Sequence, residues 1–200
     1  MKINLFLFVL FFYSSQALAQ KKHKLKCKSG YECITKAKAC LAKGNLADAQ
    51  GFIDMAKKCD YGFCGNAWAT AYGEIRLTQA QVFNVQHKFD ESLRVLDSLS
   101  GCSIGADCRK RDSLKVVTLV LKFGKEKVKN AFAKIDKLNT TSIDDASEGR
   151  FWVLLDDLNY KFFFVEGGFK EETYGWHKEQ QPVNQFYNMV KDLPFYKLLQ

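Results

Sequence analysis

Proline is nearly missing from this 200-residue chain, which holds only Pro182 and Pro194. That excludes collagen-like and proline-rich architectures. No apolar run reaches the roughly 20 residues that a bilayer-crossing helix needs, so no membrane span is expected. Histidine occurs three times: His23 in a lysine-rich arm, His87 in a turn and His177 beside Trp176. A hydrolytic triad needs a nucleophile, a base and an orienting group that converge, and these isolated histidines do not supply one. The chain has no Gly-x-Ser-x-Gly, no His-Glu-x-x-His and no phosphate-cradling glycine loop. No two cysteines stand as Cys-x-x-Cys, which removes thioredoxin-type redox chemistry. Zinc-ligand spacing is missing as well. The acidic pairs Asp156-Asp157 and Glu171-Glu172 read as turn or strand-edge charges. The expectation is a non-enzyme with no catalytic residue, no metal and no cofactor.

What is present is apolar: 47% hydrophobic and 14% aromatic residues are too many for a disordered chain. Residues 1–19 read as a secretory signal peptide. Lys2 supplies the positive start, Leu5 to Tyr13 the apolar stretch, and Ala17-Leu18-Ala19 small residues at the cleavage positions. The mature chain would begin at Gln20, in a secreted or periplasmic setting where disulfides persist.

The net charge of +8 is unevenly spread. Lys21, Lys22, Lys24, Lys26 and Lys28 crowd a basic arm over 20–29. Residues 29–140 carry 18 basic and 12 acidic groups, whereas 141–200 carry 6 and 10. Such an arm can meet nucleic acid or anionic lipid. A solvated tail is the plainer reading, and no nucleic-acid partner is expected.

The middle of the chain is helical in pattern. Ile34, Ala37, Leu41 and Ala42 form one apolar stripe; Ala49, Phe52, Ile53 and Ala56 form another, after a turn at Gly44. A long stretch from about Ala67 to Gln86 turns at His87 and resumes with Phe89, Leu93, Leu96 and Leu99. A third pair runs from Asp112, a candidate N-cap, to Phe123. It turns at Gly124 and continues with Val128, Ala131, Phe132, Ile135 and Leu138.

Three helix pairs at this spacing read as a solenoid. The run Leu41-Ala42-Lys43-Gly44-Asn45-Leu46-Ala47-Asp48-Ala49, with Ile53 and Ala56 after it, resembles a tetratricopeptide repeat. His87 to Ser92 with Leu96 and Leu99 is a second, degenerate copy; Gly124 with Phe132 supports a third. No copy ends in the family's proline, and the spacing exceeds its usual 34 residues. The resemblance covers residues 30–138. It implies antiparallel helical hairpins with a concave groove for a protein or peptide segment. An ordinary helical bundle is the alternative.

Residues 139–149 are polar and read as a linker; Asn139-Thr140-Thr141 is also a glycosylation sequon. The module 150–200 holds 13 aromatics. Phe151 to Leu155 and Tyr160 to Val165 favour strands, Glu166 to Phe169 reads as a hairpin turn, and Phe169 to Trp176 as a possible third strand. Pro182 can open a helix over Val183 to Leu193. The fold class is therefore mainly α, with a small aromatic-rich C-terminal module built as a β-hairpin or meander plus one helix. The competing reading makes 145–165 one more helix, with Leu154, Leu158, Phe162 and Val165 at helical spacing, and the chain all-α.

All seven cysteines precede residue 109. Cys27 with Cys33, Cys59 with Cys64, and Cys102 with Cys108 form close pairs, each just before the first helix of a pair. One short disulfide per junction would fix how consecutive hairpins stack. Joining Cys33 to Cys59 is an alternative, since spacing does not settle connectivity. Cys40 is the unpaired thiol, on an apolar helix face. The surface candidates for a partner are Trp68, Tyr72 and Arg76, at i, i+4 and i+8 of one helix, with Trp152, Tyr160, Tyr174 and Trp176. The expected function is that of a protein-binding module or assembly adaptor. An inhibitor or immunity-type protein, acting on an exported enzyme or toxin through the C-terminal module, is the alternative.

Overall fold

The structure, a computed structural model, describes residues 25–99, 108–135, 139–140, 150–165 and 193–200. The expected leader, Lys21, Lys22 and Lys24 of the arm, Cys102, most of the linker, Tyr174, Trp176 and His177 lie outside the described residues. The chain is mainly helical, with a small antiparallel sheet near its C-terminus.

Six helices fall into three consecutive pairs. The first comprises α1 (Gly30–Ala42) and α2 (Leu46–Ala56), the second α3 (Gly65–Val85) and α4 (Phe89–Asp97), the third α5 (Cys108–Phe123) and α6 (Lys125–Ala133). Each pair turns where the sequence places a breaker. Gly44, His87 and Gly124 have φ of 73°, 58° and 86°. Left-handed backbone is free for glycine but strained for histidine. α1 is capped by Ser29, whose side chain accepts from Glu32 N at 3.2 Å. Asn45 caps α2 in the same way, through Asp48 N. Asp112 is not the cap expected of it. α5 begins four residues earlier, and Asp112 is buried inside the helix against Arg111.

Beyond the helices, β1 (Asn139–Thr140), β2 (Arg150–Leu155) and β3 (Tyr160–Val165) pair antiparallel in that order. A 3₁₀ turn, Asp156–Leu158, joins β2 to β3. The all-helical alternative is thereby overturned over 150–165. Period-two alternation wins over helical spacing because Val153, Leu155, Phe162 and Phe164 all point to one face, against α5 and α6. Asn139 and Thr140, read as the first linker residues, pair with Trp152 and Phe151. A short helix, α7 (Pro194–Lys197), opens with proline in its first turn.

Among the described residues the core has three parts. One joins the first pair to the start of α3, around Phe52, Ile53, Ala71 and Ile75. A small one links Leu77, Ala80 and Leu96. The largest unites α5, α6, both long strands and α7: Phe132, Phe162, Phe164 and Phe195 stack with ring centroids 5.2–6.3 Å apart. Phe162, Phe164 and Phe195 of the C-terminal module thus dock on the last helix pair.

Candidate functional site

The first helix of each pair contributes one face to a common groove of about 800 Å³. Lys38 comes from α1; Glu74, Leu77, Thr78 and Gln81 from α3; Arg109, Lys110, Ser113, Leu114 and Val117 from α5. α7 completes it with Pro194 and Leu198. The α3 residues follow i, i+3, i+4, i+7 spacing, which is one face of a helix. Leucine, valine and proline side chains give the groove an apolar lining. Lys38, Arg109 and Lys110 bring charged side chains to the lining, and Glu74 is ion-paired with Lys38.

Trp68, Tyr72 and Arg76 do not line this groove. At 100° per residue, Tyr72 stands about 200° around α3 from Glu74, on its far side. Nor do they fill the core between helices: Trp68 and Tyr72 are 44% and 45% exposed. That core face of α3 belongs to Ala71, Ile75 and Val82. Instead they build an aromatic end on the array. Buried Tyr61 sits between Tyr31 and Trp68, with edge-to-face contacts of 5.2 Å on both sides. It occupies the space where a side chain on Gly30 would stand, and its hydroxyl donates to Ala56 O at 2.8 Å. Burial pushes the Tyr61 phenol up, and the neighbouring Cys59 adds to it. Trp68 Nε1 donates to Gly62 O at 2.7 Å, Tyr31 donates to Ala67 O at 3.2 Å, and Arg76 stacks 4.8 Å over Tyr72.

The cysteines divide. Cys27 and Cys33 are bonded, with Cα atoms 5.4 Å apart, which also removes Cys33 from the alternative pairing with Cys59. Cys59 and Cys64 stand as separate thiols where a bond was expected. Tyr61 is the inward residue of the loop between them. It leaves Cys59 donating to Met55 O and Cys64 exposed at the N-cap of α3. Cys40 is a half-buried free thiol beside the first core. Cys108 is the first residue of α5.

Tyr160 is a fastener rather than a surface for a partner. Its hydroxyl donates to Asp97 Oδ1 at 2.9 Å, and Lys115 Nζ lies 2.7 Å from the same oxygen. Lys115 also donates to Phe163 O at 3.2 Å. Arg111 Nη1 donates to Leu99 O at 2.6 Å, and its Nε donates to Asp112 Oδ1 at 2.8 Å. Arg111 Nη2 is 2.7 Å from that carboxylate oxygen, an ion pair without hydrogen-bond alignment. Burial pushes the Lys115 amine down, with Asp97 opposing. Burial pushes the Tyr160 phenol strongly up, and Asp97 reinforces it. This cluster fixes β3 to α4 and α5, on the side of α5 away from the groove. Trp152 remains half-buried on the outer sheet face beside Phe163, with Lys161 Nζ 3.7 Å over its ring.

Sequence reasoning missed the groove residues themselves. The spacing of Glu74, Leu77, Thr78 and Gln81 was available as a signal. The contribution of α7 was not, because it arrives from the far end of the chain. Among the described residues, no group of three or more His, Cys, Asp or Glu side chains is placed to hold a metal ion. No protein-family model, no curated protein and no solved structure matches the chain.

Proposed function

We propose that this protein is an exported, non-catalytic binding module or assembly adaptor that holds a segment of a protein partner between α1, α3 and α5. The observation that carries this reading is the shared groove: the first helix of every pair contributes to its lining, which is largely apolar. Its volume suits a few inserted side chains. The likeness of the helix pairs to tetratricopeptide hairpins supports the same use, since such arrays bind on their concave side. Export is supported by the leader-like residues 1–19 and by the Cys27–Cys33 bond, which a reducing cytoplasm would not maintain.

A photo-crosslinking amino acid at Val117, which is exposed in the groove, tests the proposal in the producing cell. The control position is Lys129 on α6. The expected result is a discrete adduct from Val117, none from Lys129, and loss of the adduct when Leu198→Glu is added. Equal adducts from both positions, or none from Val117, refute it. Removing residues 150–200 is not a suitable test, because the strands and α7 complete the core of α5 and α6.

The outer sheet face supports the second reading, an inhibitor acting through the C-terminal module. Leu154 is exposed there beside Trp152 and Lys161. That reading requires Trp152→Ala or Leu154→Glu to abolish partner capture while Val117 substitutions leave it intact.

A further inference from the structure

The start of α1, the end of α2 and the start of α3 meet at one end of the array, and the groove uses none of their surface residues. Phe63 stands fully exposed at the tip of the α2–α3 loop, on backbone that Gly62 turns with φ of 83°. Tyr31, in the first turn of α1, and Trp68 and Tyr72, in the first turns of α3, are each close to half exposed. Two of the three are held in place: the Tyr31 hydroxyl and the Trp68 indole N–H both donate to backbone carbonyls, and both rings pack edge-to-face on Tyr61.

Four exposed lysines share this end. The Cys27–Cys33 bond keeps Lys26 and Lys28 against the start of α1, and Lys57 and Lys58 follow the last residue of α2. The carboxylates nearby are engaged. Glu32 takes Lys36 and the Lys28 N–H, which hold it below the usual carboxylate range. Asp54 is ion-paired with Lys57 and Asp60 accepts from Gly62 N, so Lys26, Lys28 and Lys58 carry the basic excess of this end.

Protein interfaces enrich tyrosine, tryptophan and arginine but deplete lysine. A bilayer interface differs. It seats Trp and Tyr at headgroup level, takes Phe into the acyl boundary, and attracts lysines as point charges. Phe63 protrudes instead of lining a pocket, as insertion requires. We propose that this end docks peripherally on an anionic phospholipid surface, with Phe63 inserted and Lys26, Lys28 and Lys58 facing headgroups. No helix among the described residues is long and apolar enough to cross a membrane; docking is by this surface. The inference goes beyond the groove reading and shares no residue with it.

Vesicle co-sedimentation of the full chain tests it, with phosphatidylcholine alone and with phosphatidylcholine containing phosphatidylglycerol. The wild type and every variant are prepared in the same form, so residues 1–19 contribute equally. The expected result is binding to the anionic vesicles that weakens with added salt. Phe63→Ala should lower the affinity about tenfold. Lys26→Gln with Lys58→Gln should lower it roughly 25-fold, at about fivefold for each lysine. Lys129→Gln on α6, the same loss of a lysine charge outside this surface, should leave it unchanged. These side chains are exposed, and circular dichroism confirms that the variants fold. Failure to bind anionic vesicles, or equal binding by wild type and Phe63→Ala, overturns the proposal. So does binding to soluble polyglutamate through the same residues without vesicle binding, which would assign the surface to an acidic protein.

Discussion

Replacing Asp97 with Asn removes the charge facing Lys115 while keeping the side-chain volume. The Lys115 side chain is 1% exposed, Asp97 is 35% exposed, and the two meet at 2.7 Å. Breaking a buried pair from one side typically costs about 3–5 kcal/mol, because the remaining charge stays buried and unpaired. Water reaches Asp97, and exposed pairs contribute only about 0.2–1 kcal/mol, so the cost here should be about 2–3 kcal/mol. Lys115→Met removes the buried charge itself. It leaves Asp97 with the Tyr160 hydroxyl and solvent, and should cost about 1 kcal/mol or less. The double variant should resemble Lys115→Met, since no buried ammonium is left to strand. Urea unfolding reads these differences as midpoint shifts at constant m. The Asp97→Asn loss corresponds to a Tm fall of roughly 5–10 °C for a chain of this size. If Asp97→Asn costs no more than Lys115→Met, or the double variant is worse than Asp97→Asn, the stranded-charge reasoning is wrong.

Tyr160 gives a pH signature. Its phenol is raised above the ordinary 10.0 by burial and by Asp97, so its contribution is complete below pH 10 and declines as pH rises beyond it. The urea midpoints of wild type and Tyr160→Phe should therefore converge above pH 10; both chains contain Lys115, so its own titration cancels to first order. Phe162→Ala, in the ring stack under the sheet, should lose about 3–5 kcal/mol and expose 150–165 to limited proteolysis; a variant as resistant as wild type would contradict the shared core. Gly44→Ala meets open space but a φ of 73°, and should cost about 1–2 kcal/mol. Gly65→Ala, also in open space but within α3, should be neutral or stabilising by up to about 1 kcal/mol, so thermal melts should move in opposite directions. Under native alkylation with mass mapping, Cys64 should label first, Cys59 and Cys40 more slowly, and Cys27 and Cys33 only after reduction; rapid labelling of Cys33 would contradict the bond.

The sequence by itself determined the helix pairs and their turns. Gly44, His87 and Gly124 interrupt 3.6-residue patterns, and the chain reverses at each of them. That information is local, carried by backbone freedom and by which residues recur on one face. The choice of strands for 150–165 was also near the surface of the sequence, in its aromatic and β-branched content. Local pattern alone left the helical alternative open there, because Leu154, Leu158 and Phe162 also fit a helix.

Tertiary structure decided everything that depends on which faces meet. Trp68 and Tyr72 read as partner-facing residues by type; Ala71 and Ile75 took the packed face and left them exposed outside the groove. Tyr160 read as a free aromatic, until Asp97, 63 residues away, accepted its hydroxyl. Lys115 carries no sequence mark that separates a buried lysine from a solvated one. The Cys59–Cys64 spacing invited a bond, yet the two stand as separate thiols on either side of buried Tyr61. The groove itself needs α1, α3, α5 and α7 together, which lie up to 160 residues apart. Periodicity fixes which residues share a face, whereas the partner of that face is chosen by burial and pairing energies summed over the whole chain.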